Sequence, residues 1–430
     1  MRERPPLVLR VYRRLTTTAT PLLPLWWTYR LRHGKEERSR LRERRGETQL
    51  PRPDAPLVWF HSASVGEMLA IVPIVDHVCA SGFAALVTSG TVTSARLAEW
   101  RLPPGAMHQF APFDAPRYVR RFLDHWKPDL ALFAESDLWP NLVTAASERN
   151  VPLIIINGRL SPRSFKRWRN APKTIASLLG HFDLCLAQSV RDAERFNALG
   201  APRITTTGNL KLDVPAPPAD PDEFDLLDDA IGNRRVIAAA STHAGEEKIF
   251  IEVHRRLKEK FRDLLTIIVP RHPERGPGIL DIATVAGLNA VARSEGHLPD
   301  RATDIYVADT MGELGLIYRM APIVFIGGSL VRHGGQNPIE AAKLGAAILH
   351  GPHVWNFADI YTALDRADGA VEVADPALLV QKIAGWLTDE TSRAASANAA
   401  LDTVEDLSGA YGRTIAALEP YLLQLRLHYR

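Results

Sequence analysis

From residue 56 onward the chain alternates two patterns. "PLVWFHS" is a short apolar run ending in small polar residues, and "GEMLAIVPIVDHVCA" then repeats its apolar positions at helical spacing. "FAALVTSG" and "TVTSARLAEW" form the next strand and helix candidates. "PDLALFAES", "VPLIIINGRL" and "FDLCLAQS" continue the strand series, with helical segments between them. Apolar runs of about four to eight residues alternating with helices predict a parallel sheet wrapped by helices. The alternation stops at "VPAPPADPDEFD", residues 214–225, which is rich in Pro and Asp, has no apolar period and reads as a linker. It restarts with "RRVIAAAST", "LLTIIVPRH", "DIYVADT", "APIVFIGGS" and "AAILHGP". The pattern therefore predicts two α/β halves, residues 51–213 and 226–405. A last amphipathic stretch, 406–430, is expected to pack back on one of them. In such an architecture a ligand is expected at the carboxyl ends of the strands.

The first 50 residues differ. They hold thirteen Lys/Arg against five Asp/Glu, a balance of about +8, whereas the whole chain of 430 residues carries only +3. That asymmetry predicts an anionic surface met by the N-terminus. The stretch Leu15 to Tyr29 is uncharged but interrupted by Thr and Pro, too short and polar for a membrane-spanning helix. Trp26, Trp27 and Tyr29 at its end, with arginines on both sides, suit the headgroup zone of a bilayer. No nucleic-acid module follows, so a nucleic-acid partner is not expected. The two cysteines, Cys79 and Cys185, are far apart and lack CxxC spacing, which argues against a disulfide framework or a zinc site.

The candidate chemistry sits at strand ends. In "HSASVGE" Ser62 or Ser64 can cap a helix and Glu67 falls in its first turn. Spacing alone leaves two readings for Glu67: a capping carboxylate favoured by the helix dipole, or a general base. "FAESDLWPN" ends another strand with Glu135 and Asp137, and "GNLKLD" puts Lys211 just before the linker. In the second half, "AASTHAGEEK" places Ser241, Thr242 and Gly245 at a strand-to-helix turn, and "IVPRHPERG" ends a strand with Pro270, Arg271 and His272. "ADTMGELGLIY" carries Met311, Gly312 and Glu313, and "FIGGSLVRHGGQNPIEAAKLG" has two glycine pairs followed by Asn337, Pro338, Ile339 and Glu340. Glycine pairs admit close backbone approach, helix N-termini offer free N–H groups to phosphate, and Arg adds a bidentate partner. Glu340 is placed to accept bonds from ribose hydroxyls. No Walker loop, GxGxxG, HExxH or GxSxG occurs. The single DxD-like triplet, Asp220-Pro-Asp222, reads as solvated linker. Four such strand ends in one half predict a nucleotide site, and their basic character favours a nucleotide sugar.

The stretches "SVGE", "ESDLWP", "GNLK", "ASTHAGEE", "VPRHPER", "DTMGEL", "GGSLVRHGGQNPIE" and "NFADIY", in this order over about residues 59–360, resemble the 3-deoxy-D-manno-octulosonic acid (Kdo) transferases. The resemblance implies a GT-B fold, two Rossmann-like domains facing across a deep cleft, with no metal ion and no cofactor. It implies inverting transfer of Kdo from CMP-Kdo to the lipid A precursor, in lipopolysaccharide synthesis at the cytoplasmic face of the Gram-negative inner membrane. Carried over by motif, Glu67 is the base, Glu135 and Lys211 stabilise the transition state, and Pro270, Arg271, Met311, Gly312, Glu313, Asn337, Pro338, Ile339 and Glu340 contact CMP. Ser241, Thr242 and His272 remain candidate contacts to phosphate or donor. Gln336 stands where many relatives have His, and "AESDLWP" replaces the commoner "ETELWP". Another GT-B transferase with a different nucleotide sugar, or a non-catalytic membrane-surface protein of the same fold, are the alternatives.

Overall fold

The computed structural model describes residues 5–428; the first four residues of the basic segment lie outside them. The chain divides into two compact units, residues 1–214 with 408–430, and residues 215–407.

The first unit is built on a seven-stranded parallel sheet. Its strands are β1 (Leu57–Ser62), β2 (Ala84–Ser89), β3 (Ala106–Phe110), β4 (Leu130–Ala134), β5 (Leu153–Gly158), β6 (Leu184–Ala187) and β7 (Ile204–Thr206), in the order β3-β2-β1-β4-β5-β6-β7. Alternate residues of β1 feed opposite layers. Leu57 and Trp59 join one core with Phe122, Phe133 and Phe182, while Val58 and Phe60 join the other with Met68, Ile71 and Ile74. Burial on both faces explains why these strands read as unbroken apolar runs. Order reverses between β1 and β4, so their carboxyl ends flank the switch point where ligands bind in open α/β sheets. The C-terminal helix Ala410–His428 belongs to this unit. Its Ala410, Leu418 and Leu422 lie in the same core as β1, and Gly409 N donates to Asp213 Oδ1 (2.6 Å).

The basic segment folds onto the first unit as two helices, Leu7–Ala19 and Leu23–Arg32, joined by a short 3-10 turn. Trp27 corrects the expectation of an outward aromatic trio. It is 1% exposed and packs with Leu23, Ala115 and Tyr118, under the Arg45 guanidinium. Trp26 and Tyr29 do face outward, with Leu7, Val8, Val11, Leu15, Leu22 and Leu25. A polar latch holds the first helix: Tyr12 Oη donates to Asp114 Oδ2 (2.9 Å), and Asn141 Nδ2 donates to Thr16 Oγ1 (3.0 Å). Asp114 also accepts from Asn141 N and Leu142 N, capping the helix Pro140–Glu148. Among the described residues no helix is long and apolar enough to cross a membrane.

The second unit repeats the plan. Its strands are β8 (Arg235–Thr242), β9 (Leu264–Pro270), β10 (Ala290–Ala292), β11 (Ile305–Val307), β12 (Ile323–Ile326), β13 (Ala347–His350) and β14 (Ala370–Glu372), all parallel, in the order β10-β11-β9-β8-β12-β13-β14. Here the switch point lies between β8 and β12. The stretch read as a linker is shorter than expected. A helix, Pro221–Ile231, begins inside it, with Asp220 as its N-cap accepting from Asp222 N and Glu223 N. Asp220 is thus a capping residue rather than solvated linker.

Candidate active site

At the switch point of the first unit β1 runs into "SASVGE". Ser64 caps the helix Val65–Ala80, its side chain accepting from Glu67 N (3.3 Å). Glu67 completes a variant of the capping box that reaches the N–H one residue before the cap. Its Oε2 accepts from Ala63 N (2.7 Å) and its Oε1 from Ser64 Oγ (2.8 Å). The bland reading of Glu67 is therefore realised, yet its electrostatics exceed that role. Burial pushes the carboxyl above the ordinary range, the charges of Glu135 and Asp137 add to this, and the bonds from Ala63 and Ser64 only partly offset it.

Glu135 arrives from the neighbouring strand. The residue following β4 sits at φ +57°, a left-handed conformation rare for non-glycine residues, with its N–H donated to Ile156 O (2.9 Å). That turn aims the carboxylate at Lys211, whose Nζ donates to Glu135 Oε1 at 2.8 Å, both side chains mostly buried. Lys211 lies in a 3-10 turn whose N–H bonds to Asn209 Oδ1, and Leu210 N donates to Asn157 Oδ1. A Cβ on Gly66 would stand 4.0 Å from Lys211 Nζ, so the ammonium lies against the start of the helix that carries Glu67. The fold thus sets Glu67 beside the Glu135–Lys211 ion pair, with the Glu135 charge acting on Glu67 and the ammonium against Gly66. Asp137, two positions on from Glu135, acts on Glu67 through its charge but is bonded elsewhere. Its Oδ2 accepts from Trp139 Nε1 (2.8 Å) and lies 3.5 Å from His61 Nε2. Asn157, buried at φ +52°, was not singled out from the sequence. The signal was there: a polar residue closing the apolar run "LIIING".

In the second unit the motifs cluster at the carboxyl ends of β8, β9, β11 and β12. The turn after β12 is held by Glu246, which is fully buried. Its Oε2 accepts from His243 N (2.9 Å) and Gly328 N (2.7 Å), and its Oε1 from Ser329 N (3.1 Å) and Leu330 N (3.0 Å). Glu247, also buried, pairs with Arg275 (3.1 Å) and accepts from Thr242 Oγ1 (3.1 Å). Thr242 is itself buried, with its hydroxyl engaged, so it supports the turn instead of presenting a free hydroxyl to a ligand. Ser241 occupies φ +56° at a register shift in β8. Gly327 passes it closely: a Cβ there would fall 2.5 Å from Ser241 O. Gly327→Ala is expected to lower stability by about 1–3 kcal/mol through this forced shift, read from urea denaturation.

Arg271 and His272 are exposed at the end of β9, and Arg271 N donates to Thr242 O. His243, overlooked from the sequence, stacks on His333 with ring centroids 3.9 Å apart, and its Nε2 lies 3.0 Å from Gln336 Nε2. Burial, followed by the neighbouring His333, lowers it to about 4, so the imidazole is neutral at pH 7. Gln336 therefore meets an imidazole where its own position lacks one. Asn337 Oδ1 accepts from Ile339 N and its Nδ2 donates to Glu340 Oε1 (3.3 Å). Pro338 and Ile339 are buried, leaving backbone as their contribution to a ligand. Burial raises the Glu340 carboxyl, offset in part by Asn337 and by the Arg271 charge. Met311 is exposed beside Gly312 (φ +89°), and Glu313 receives Arg293 in a bidentate pair (2.7 and 2.6 Å). Burial alone would raise the Glu313 carboxyl; the bonds from Arg293 and Thr310 outweigh it and hold it low. Arg293, Met311, Glu313 and Thr310 line a cavity of about 580 Å³ with Leu298 and Glu223. Among the described residues no group of three or more His, Cys, Asp or Glu is arranged to hold a metal ion.

Two Rossmann-like units, each with its polar groups at the carboxyl ends of parallel strands, define a GT-B glycosyltransferase fold. Solved structures agree at the level of the fold. A glycosyltransferase from Rickettsia africae aligns with TM-score 0.59 and 14% identity over 86% of this chain and 99% of its own. A UDP-GlcNAc 2-epimerase from Neisseria meningitidis aligns with TM-score 0.58 and 12% identity over 86% and 100%. The sequence profile of the 3-deoxy-D-manno-octulosonic-acid transferases matches residues 39–214. A probable mitochondrial 3-deoxy-D-manno-octulosonic acid transferase of Arabidopsis thaliana is 38% identical over 84% of this chain and 83% of its own length. The transferase of Haemophilus influenzae is 33% identical over 90% and 92%. The chain belongs to the 3-deoxy-D-manno-octulosonic acid transferase family.

Proposed function

We propose that this protein transfers Kdo from CMP-Kdo to a hydroxyl of the lipid A precursor, lipid IVA, with inversion at the anomeric carbon, Glu67 as general base and no metal ion. The observation that carries the assignment of the base is the Glu67 carboxylate at the switch point of the first unit, raised by burial and set beside the Glu135–Lys211 pair. A base whose conjugate acid lies closer to neutrality takes a hydroxyl proton more readily. Glu67 removes that proton as the hydroxyl oxygen attacks the anomeric carbon from the face opposite CMP. The new C–O bond forms as the bond to the CMP phosphate breaks, and the electron pair leaves on the phosphate. Arg271, exposed at a strand end, meets the growing phosphate charge. Glu340 accepts from the ribose hydroxyls, and the Met311–Glu313 turn, fixed by Arg293, borders the base. Lys211 and Glu135 stabilise the anionic and cationic character that develops on the sugar. A competition assay tests the donor. CMP-Kdo is expected to support transfer in the presence of excess UDP- and ADP-sugars; transfer from one of these instead would assign the chain another donor.

The acceptor is a membrane lipid, and we place the protein on the cytoplasmic face of the inner membrane through its first two helices. Support comes from the outward apolar residues Leu7 (66% exposed), Val11 (44%) and Leu15 (61%), one turn apart on one face, within a strongly basic segment. Each Lys or Arg near an anionic surface adds about 1 kcal/mol. Removing residues 1–30 would also delete Trp27 and uncover Ala115 and Tyr118, so point changes are the cleaner test. Replacing Leu7, Val11 and Leu15 together by Gln is expected to lower binding to anionic liposomes at least about tenfold, with CMP titration unchanged.

A further inference from the structure

Beside the first helix lies a cavity of about 430 Å³ whose charge nothing above explains. Arg10 and Arg13 enter it from that helix, Arg117 and Arg120 from the helix Pro116–Trp126, and Arg149 from beyond the helix Pro140–Glu148. Among the described residues Glu148 is the only carboxylate in its lining. Arg13 lies 3.9 Å from Glu148, and Arg149 bonds Asp124 at 2.6 Å. Among the described residues Arg10, Arg117 and Arg120 are exposed and make no ion pair or hydrogen bond through their guanidinium groups. Guanidinium groups gathered from two helices and the end of a third repel one another, and the described residues supply only one carboxylate to the lining. A bound anion resolves this, and planar guanidinium forks suit phosphate oxygens bidentately. The same helix presents Leu7, Val8, Val11 and Leu15 outward, so the cavity adjoins an apolar surface. We propose that this cavity binds a phosphomonoester carried by a membrane lipid. A monoester carries close to two negative charges near pH 7 and three terminal oxygens, against one charge for a phosphodiester, which matches three uncommitted guanidinium groups. Pro140, in the lining, ends the "ESDLWP" segment that carries Glu135, and Asn141, also in the lining, follows it directly. The identification of the lipid with the sugar acceptor rests on the transfer reading above; the phosphate site itself does not.

The test uses the full chain and flotation with phosphatidylcholine vesicles carrying either phosphatidic acid or phosphatidylglycerol, matched in surface charge. The wild type is expected to prefer phosphatidic acid by about tenfold, the effect of one charge-assisted hydrogen bond. The double variant Arg117→Gln/Arg120→Gln is expected to lose that preference. Arg14→Gln/Arg32→Gln removes the same charge outside the cavity and should keep it. Circular dichroism and CMP titration confirm that the variants fold. Equal binding of the wild type to both vesicles, or a preference that survives in Arg117→Gln/Arg120→Gln, overturns the proposal. Calorimetric titration with inorganic phosphate separates the sources. Saturable uptake without any lipid preference assigns the cavity to soluble phosphate and overturns the lipid site. Failure of Kdo transfer with the lipid preference intact would instead reject the transfer reading and leave the phosphate site standing.

Discussion

Glu67→Gln is expected to slow single-turnover transfer about 10²–10⁴-fold while leaving stability and CMP affinity nearly unchanged. The size is that of a positioned general base. The selectivity follows from the capping box. Gln is accepted at this capping position and retains one carbonyl oxygen for the bond from Ala63 N or Ser64 Oγ, so most of the capping geometry survives the loss of basicity. The CMP contacts proposed above lie in the second unit and are untouched. The pH dependence carries a second signature. Burial and the charges of Glu135 and Asp137 raise the Glu67 carboxyl above its ordinary value of 4.5. The base works only when ionised, so activity should rise with pH along a limb displaced above 4.5, and Glu67→Gln should abolish that limb. The same raised value means the folded state binds this proton more tightly than the unfolded chain. The stability Glu67 adds is complete below its unfolded value and is lost as pH rises through the folded one. Retained activity in Glu67→Gln would return Glu67 to a capping role alone.

Glu246→Gln is expected to cost about 2–4 kcal/mol in stability and to weaken CMP binding at least about tenfold, read from urea denaturation and calorimetric titration. The carboxylate serves four backbone N–H groups, two on each oxygen. An amide offers one oxygen only. Turned either way, its NH₂ faces two N–H donors, either His243 and Gly328 or Ser329 and Leu330. Two buried donors then lose their acceptor at about 1–3 kcal/mol each, offset in part by relaxation. The turn that leads to Asn337 and Glu340 loses its anchor, which links the fold to the proposed nucleotide contacts. The loss should appear in donor affinity even where the variant remains folded.

The two sheets were legible because their central strands are buried on both faces and read as apolar runs. The four strands that the pattern did not reveal, β3, β7, β10 and β14, are the edges of the two sheets. Three of them have only three residues, and β3 carries His108 and Gln109. Edge strands have one neighbour and less burial, so their sequences lose the apolar signal. The Pro-rich stretch concealed a helix because Asp220-Pro221 is as good a helix start as it is a linker. Of the candidate site, the residue types at strand ends were visible. The ion pair of Glu135 with Lys211, 76 positions apart, was not, because it depends on strand order and on the left-handed turn at Glu135. Glu246 and Glu247 sat inside a quoted motif, yet only coordinates show that both point inward as anchors. Trp27 reversed its expected role for the same reason: sequence gives the aromatic pair, and helix phase decides which ring is buried.

The most direct measurement is a single-turnover reaction of the wild-type protein with CMP-Kdo and a tetra-acylated lipid A precursor, followed by mass spectrometry and by determination of the anomeric configuration. A Kdo-bearing lipid with inverted configuration, formed in the presence of a metal chelator, is the expected product. An unmodified acceptor, or transfer with retained configuration, would contradict the inverting transfer proposed for Glu67.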